Sequence, residues 1–265
     1  MEKIVEVLVA SMNQTGSGLY EKMNLQTPAV IANQAGEFSY REFQKDGGLI
    51  RMITTSDRGV GKNRNIALMY ATGDYLVLAD DDMVYKDHYD DLVRNAFESL
   101  PQADIIVFEL RYLNRFTQGK KPNTRVKRVR VFNAMRYGAS RTAIRRDSLL
   151  KSNLWFSVLY GGGAPFSCGE DTLFLREALR KGMRIYASPM IIADVRQEAS
   201  SWFKGYTEKF FIDKGIWIAN AFPRIKLIIA LYFVWKYRKT TPDKNIFDII
   251  KLIFRGIRTY KKLEL

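Results

Sequence analysis

The stretch from Gly59 to Tyr85, GVGKNRNIALMYATGDYLVLADDDMVY, packs a turn, a helix and a buried strand into a short span and so narrows the fold class. Gly59 and Gly61 supply the turn. Ile66, Ala67, Tyr70 and Ala71 then recur at helical spacing until Gly73 ends the helix. Tyr75 to Ala79, YLVLA, is apolar without alternation, which predicts a strand covered on both faces, as in a parallel sheet. It stops at Asp80, Asp81 and Asp82. Three adjacent carboxylates repel one another unless a cation or solvent intervenes. On extended backbone Asp80 and Asp82 point to one side and Asp81 to the other. Two oxygen ligands on one side suit Mg or Mn, which keep further positions for water and phosphate. The other reading is a solvated acidic loop capping the helix expected over Asp87 to Ser99.

In chain order, Ile4 to Ala10 reads as a first strand running into polar Ser11, Asn13, Gln14, Thr15, Gly16 and Ser17, small groups suited to a base and ribose. Ala29 to Ala32 is a second strand ending at Asn33 and Gln34. Leu49 to Ile53 is a third, ending at Thr54 to Asp57, and Asp104 to Leu110 is a later one. Strands alternating with helices predict a doubly wound α/β sheet, whose ligands sit beyond the carboxyl ends of its strands. Asp57 to Lys62 is not a P-loop, because the glycine spacing is too short and no Ser or Thr follows the lysine. Lys62 and Arg64, near a helix N-terminus, attract phosphate or neighbouring acids. For Arg64, an ion pair holding the acidic strand is an equal alternative.

Four motifs in this order resemble the inverting family 2 glycosyltransferases of GT-A fold: VEVLVASMNQ, Arg64-Asn65, Asp80-Asp81-Asp82 and Glu170-Asp171. They span Val5 to Pro189. The resemblance implies a Rossmann-like nucleotide-diphospho-sugar transferase fold with a mostly parallel central sheet and a C-terminal helical appendage. It implies donor contacts at Ala10, Ser11, Asn13, Asn33, Gln34, Asp57, Lys62, Arg64, Asp80 and Asp81, and Mn or Mg at Asp80 and Asp82. Family members often place an acid after the second strand to meet the base, where this chain has Asn33 and Gln34. UDP is the expected nucleotide because it is commonest in that family. Asp171 is implied as the general base that takes the acceptor proton, with Glu170 beside it binding acceptor or orienting the loop; acids in a first helical turn also have a purely structural reason to be there. The loop YGGGAP places Gly162 and Gly163 at a substrate mouth, and Trp202 is a candidate for stacking on a sugar ring. A sugar nucleotidyltransferase and a non-enzymatic basic binding module are the alternatives.

Composition narrows partners. The chain has 265 residues, a formal net charge of +14, one cysteine and one histidine. Cys168 alone forms no internal disulfide, and His88 alone builds no imidazole metal site, so acid–base work falls to carboxylates, Tyr or Lys. Between Leu110 and Arg146 there is no acid but a dozen cations, among them Arg115, Lys120, Lys121, Arg130 and Arg141, with Val126 to Phe132 reading as an edge strand. Its aromatics are not spaced as a stacking platform, so an anionic acceptor or phospholipid surface is expected and not nucleic acid, with a merely solvated basic face as the other reading. The expected division is a catalytic domain over residues 1–222, with its donor half at 1–110 and acceptor half at 111–222, followed by basic amphipathic helices over 223–265. There, apolar runs at Leu227 to Trp235 and Ile246 to Phe254 flank Thr240-Thr241-Pro242-Asp243. Each is shorter than the roughly 20 residues a bilayer span requires, and basic flanks suit helices lying in an anionic membrane interface. Packing on the domain or homo-oligomerisation are the other readings. Met1 to Ala10 lacks a signal-peptide pattern. A cytoplasmic protein, peripheral at the inner membrane face and acting on a saccharide or lipid-linked acceptor in bacterial polysaccharide assembly, is the resulting expectation.

Overall fold

In a computed structural model, residues 2–113, 121–196, 203–241 and 244–263 are described. The chain divides into two compact units, Met1–Ser157 with Asp171–Glu198, and Val158–Glu170 with Ala199–Leu265.

The first unit holds one mixed ten-stranded sheet. Strands β1 (Val5–Met12), β2 (Ala29–Gln34), β4 (Gly48–Thr55) and β5 (Tyr75–Asp80) form its parallel part in the order β4-β2-β1-β5. An antiparallel edge strand, β3 (Ser39–Lys45), pairs with β4. On the other side of β5, the short β9 (Thr142–Arg145) runs antiparallel and joins it to β7 (Ile105–Tyr112), which pairs in parallel with β10 (Ile185–Val195). Strands β6 (Met83–Tyr85) and β8 (Lys127–Arg128) pair antiparallel with β10.

Alternation along β1 and β5 fills two cores. Val5, Val7, Val9, Tyr75, Val77 and Ala79 face one side, and Leu8, Leu76 and Leu78 the other. The first side is covered by α1 (Gly18–Lys22) and α3 (Tyr89–Ser99), the second by α2 (Val60–Tyr70), α4 (Arg146–Ser152) and α5 (Glu170–Arg180), whose Ala67, Leu68, Leu149, Phe174 and Leu175 are buried. Helices on both faces explain why the parallel strands read as unbroken apolar runs.

The second unit contains α6 (Glu208–Ala221), α7 (Lys226–Tyr237) and α8 (Ile246–Lys262). Helices α6 and α8 cross at glycine: a Cβ on Gly215 would stand 2.1 Å from the Ile253 carbonyl oxygen, and one on Gly256 would stand 2.0 Å from that of Ile212. Asp213, buried in α6, accepts from the Ser167 backbone N–H at 2.9 Å and from Lys209 Nζ at 2.6 Å. The edge strand expected over Val126 to Phe132 is only the two residues of β8. Beyond it the backbone turns, with the Arg130 N–H donating to Asn133 Oδ1 at 2.7 Å.

Candidate functional site

Parallel register gathers the candidate donor residues at one sheet edge. Ala10 pairs with Asp80 across β1 and β5, and Ser11 and Met12 pair with Asn33 and Gln34 across β1 and β2. Asn63 of α2 fastens this edge, its Nδ2 donating to the carbonyls of Ser11 (3.1 Å) and Ala32 (3.0 Å). The buried Ser11 hydroxyl donates to the Ala32 carbonyl at 3.2 Å, and is spent on the strands.

Asn33 and Gln34 are buried and shape loops. Asn33 Oδ1 accepts from the Gln14 N–H at 2.9 Å, while its Nδ2 donates to the Gln14 carbonyl and to Thr54 Oγ1. Gln34 Oε1 accepts from the Gly59 N–H at 2.8 Å, holding the turn before α2. Asn13, at φ 54°, Gln14 and Thr15 then line a cleft of about 450 Å³ with Gly36, Glu37, Ser39, Arg41 and Thr54. Lys62 and Asp57 pair with each other at 3.1 Å on the exposed rim.

The centre of the site is Arg64, whose side chain is 6% exposed. Its Nη2 donates to Asp80 Oδ1 at 2.9 Å and its Nη1 to Asp171 Oδ1 at 2.7 Å. One guanidinium therefore ties the end of β5 to the first turn of α5, the fork geometry for which arginine is suited and lysine is not. The guanidinium carbon lies 5.3 Å from the centroid of the Phe156 ring, which stacks on Phe174 at 3.9 Å. Asn65, next along α2, pins Phe156 by both backbone groups: Nδ2 donates to its carbonyl at 2.9 Å and Oδ1 accepts its N–H at 2.8 Å. A side chain on Gly61 would strike the Ser157 carbonyl oxygen at 2.3 Å, so glycine lets the helix approach this segment. A Cβ on Gly138 would stand 3.2 Å from Asp171 Oδ2, so a larger residue there would crowd the oxygen Arg64 leaves available.

Asp81 and Asp82 occupy a turn between β5 and β6, so strand alternation governs Asp80 alone. Neither has an ion-pair partner among the described residues. Burial pushes both carboxyls up, and repulsion from Asp80 and Asp81 helps bring Asp82 up to about 6. Half-buried oxygen donors with surplus negative charge fit a hard divalent cation that completes its shell with water and phosphate. Among the described residues, no group of three or more His, Cys, Asp or Glu is placed to hold a metal ion.

Glu170 opens α5 as the last residue of its segment of the second unit. Gly162 and Gly163 lie in that unit's turn, closed by the Gly161 N–H donating to the Phe166 carbonyl at 2.9 Å. Trp202 lies outside the described residues. Sequence reasoning missed Phe156 and Asn63, since nothing local marks a side chain whose partners are scores of residues away.

A central, mostly parallel sheet flanked by helices, with Asp80 at the carboxyl end of β5, is the arrangement of the GT-A class, and S. aureus TarS shares the fold. The structure of TarS 1–349 in complex with UDP-GlcNAc is similar at a TM-score of 0.59 and 15% identity, over 83% of this chain and 67% of that one. The TarS 1–349 complex with UDP gives 0.60 and 16%, over 90% and 74%, and the crystal structure of S. aureus TarS gives 0.56 and 15%, over 88% and 43%. Sequence carries the assignment further. Residues 39–182, just over half the chain, match glycosyl transferase family 2, and the chain belongs to that family. It is a glycosyltransferase, which sets aside the nucleotidyltransferase and binding-module alternatives. No curated protein matches it.

Proposed function

We propose that this glycosyltransferase inverts: it moves a sugar from a UDP-sugar to a hydroxyl of a saccharide or lipid-linked saccharide in cell-surface polysaccharide assembly. The observation that carries the reading is Arg64, which couples Asp80 at the donor edge to Asp171, the acid that the family resemblance makes the base. UDP as the nucleotide is supported by the TarS complexes, which hold UDP-GlcNAc and UDP.

Base and ribose lie in the cleft of Asn13, Gln14 and Thr15. Asp80 and Asp82 would hold Mg or Mn, which when bound offsets charge on the departing diphosphate. Arg64 fixes one oxygen of Asp171 and leaves Oδ2 to take the acceptor proton. As that proton leaves, the acceptor oxygen bonds to the anomeric carbon and the bond from that carbon to the diphosphate breaks, its electron pair departing with UDP. Asp171 thus works ionised and returns its proton to solvent.

The test is binding and turnover of UDP-, GDP- and dTDP-sugars with Mn or Mg. Asp82→Ala should lose metal-dependent binding. Asp171→Asn should keep binding while turnover falls about 10²- to 10⁴-fold, with UDP and not pyrophosphate as wild-type product. Absence of metal-dependent binding to every UDP-sugar, or wild-type turnover by Asp171→Asn, overturns the assignment.

A further inference from the structure

Helix α7 is apolar on two opposite faces. Ala230, Phe233, Val234 and Tyr237 are buried, yet Leu227, Ile228, Leu231, Tyr232 and Trp235 form a second stripe at helical spacing that stays exposed, Ile228 by 67%. A helix apolar all round belongs in a core or in lipid, and a contiguous exposed apolar stripe marks an interaction surface. Helix α8 differs, because its apolar stripe of Ile249, Leu252, Ile253 and Ile257 is already buried.

The charges around the α7 stripe identify its partner. From Lys214 to Thr241 the sequence has no Asp or Glu. Exposed Arg224 stands before the stripe and exposed Lys236, Arg238 and Lys239 stand at its far end, with the Arg238 guanidinium 5.4 Å from the Trp235 ring centroid. Apolar residues with Trp and Tyr among them, bracketed by cations, match a bilayer surface whose anionic headgroups border its acyl region. A second copy matches poorly, since antiparallel pairing of two such faces opposes Arg224 to Arg238 in a chain already at +14. No helix among the described residues is long and apolar enough to cross a membrane. We propose that the outer face of α7 seats the protein on an anionic lipid bilayer, the helix lying in the plane of the interface. The inference stands apart from the donor and base assignments.

Flotation of the full chain with phosphatidylcholine vesicles, with and without phosphatidylglycerol, tests it. Wild type should float with the anionic vesicles, much less with the neutral ones, and less in high salt. Ile228→Asp with Leu231→Asp should lower binding by at least about tenfold, and Arg238→Gln with Lys239→Gln by about fivefold or more. All three proteins should keep the wild-type melting temperature and unchanged transfer to a soluble acceptor. Failure of wild type to float with anionic vesicles overturns the proposal, as does wild-type flotation by the Ile228→Asp, Leu231→Asp variant. So does a dimer in sedimentation that this variant dissociates, which would give the face to a second copy.

Discussion

Replacing Arg64 by Met keeps side-chain length and removes the charge that Asp80 and Asp171 share. Breaking a fully buried pair by deleting one partner costs about 3–5 kcal/mol. Here the two carboxylates keep 39% and 32% of their side-chain surface in water, so solvent offsets part of the loss. Allowing for that screening, and for a lost cation–π contact to Phe156, the expected cost is roughly 2 kcal/mol. In a unit of this size that lowers the melting temperature by about 4–8 °C. Turnover should fall further than stability implies, because Asp171 loses the contact that fixes its angle, and misplacement by about 1 Å costs on the order of 10²-fold. Lys at this position places a point charge on one carboxylate at a time. It should recover part of the melting temperature and little of the turnover. Thermal melts and UDP release under substrate saturation measure the two effects separately. If Arg64→Met melts and turns over as wild type, the guanidinium is not what holds these acids together and the reasoning fails.

Asp82 gives a pH prediction. Its carboxyl is pushed up to about 6, against about 3.9 in an unfolded chain. The folded state therefore binds that proton more tightly. Without divalent cation, stability should decline as pH rises from about 4 to about 6 and stay reduced above that. Asp82→Asn should flatten this step and gain about 1 kcal/mol at neutral pH after allowance for solvent screening; urea midpoints across that range that fall alike in both proteins would contradict it. In the second unit, Gly215→Ala sets a methyl 2.1 Å from the Ile253 carbonyl oxygen. The α6–α8 crossing must open, costing about 1–3 kcal/mol by overpacking, and an unshifted melt would show that the helices do not meet there.

The sequence exposed the parts of this fold that repeat locally. The helix and apolar strand of Gly59 to Ala79 are legible because period and burial agree, and the end of that apolar run puts Asp80 at a sheet edge. Strand β3 escaped because SYREFQK lies on an exposed edge with hardly any core face to impose alternation. Strand β9 escaped because four residues between arginines carry too little pattern. The strand ends at Asp80, two residues sooner than alternation through Asp82 assumed. The bond from Arg64 to Asp171 spans 107 positions, so no local periodicity could reveal it, although the family resemblance had singled out both residues. Lys214 is a further case: a buried cation whose Nζ lies 4.6 Å from the Trp217 ring centroid and 3.2 Å from Cys168 Sγ, a setting that composition counts only as one more positive charge.

The position of β9 also governs the order in which the sheet can be completed. Strands β5 and β7 do not pair; Leu76 and Ile105 lie against opposite edges of β9 at the same residue, Ile144. The quartet β4-β2-β1-β5 can close once residue 80 has emerged from the ribosome, but β7 then has no edge to join until residue 145 follows. Its remaining partner, β10, arrives later still. Through that interval the nascent chain carries the apolar β7 unpaired, an edge open to intermolecular pairing. A four-residue strand thus sets when β7 can first join the sheet, and its other edge stays open until β10 follows.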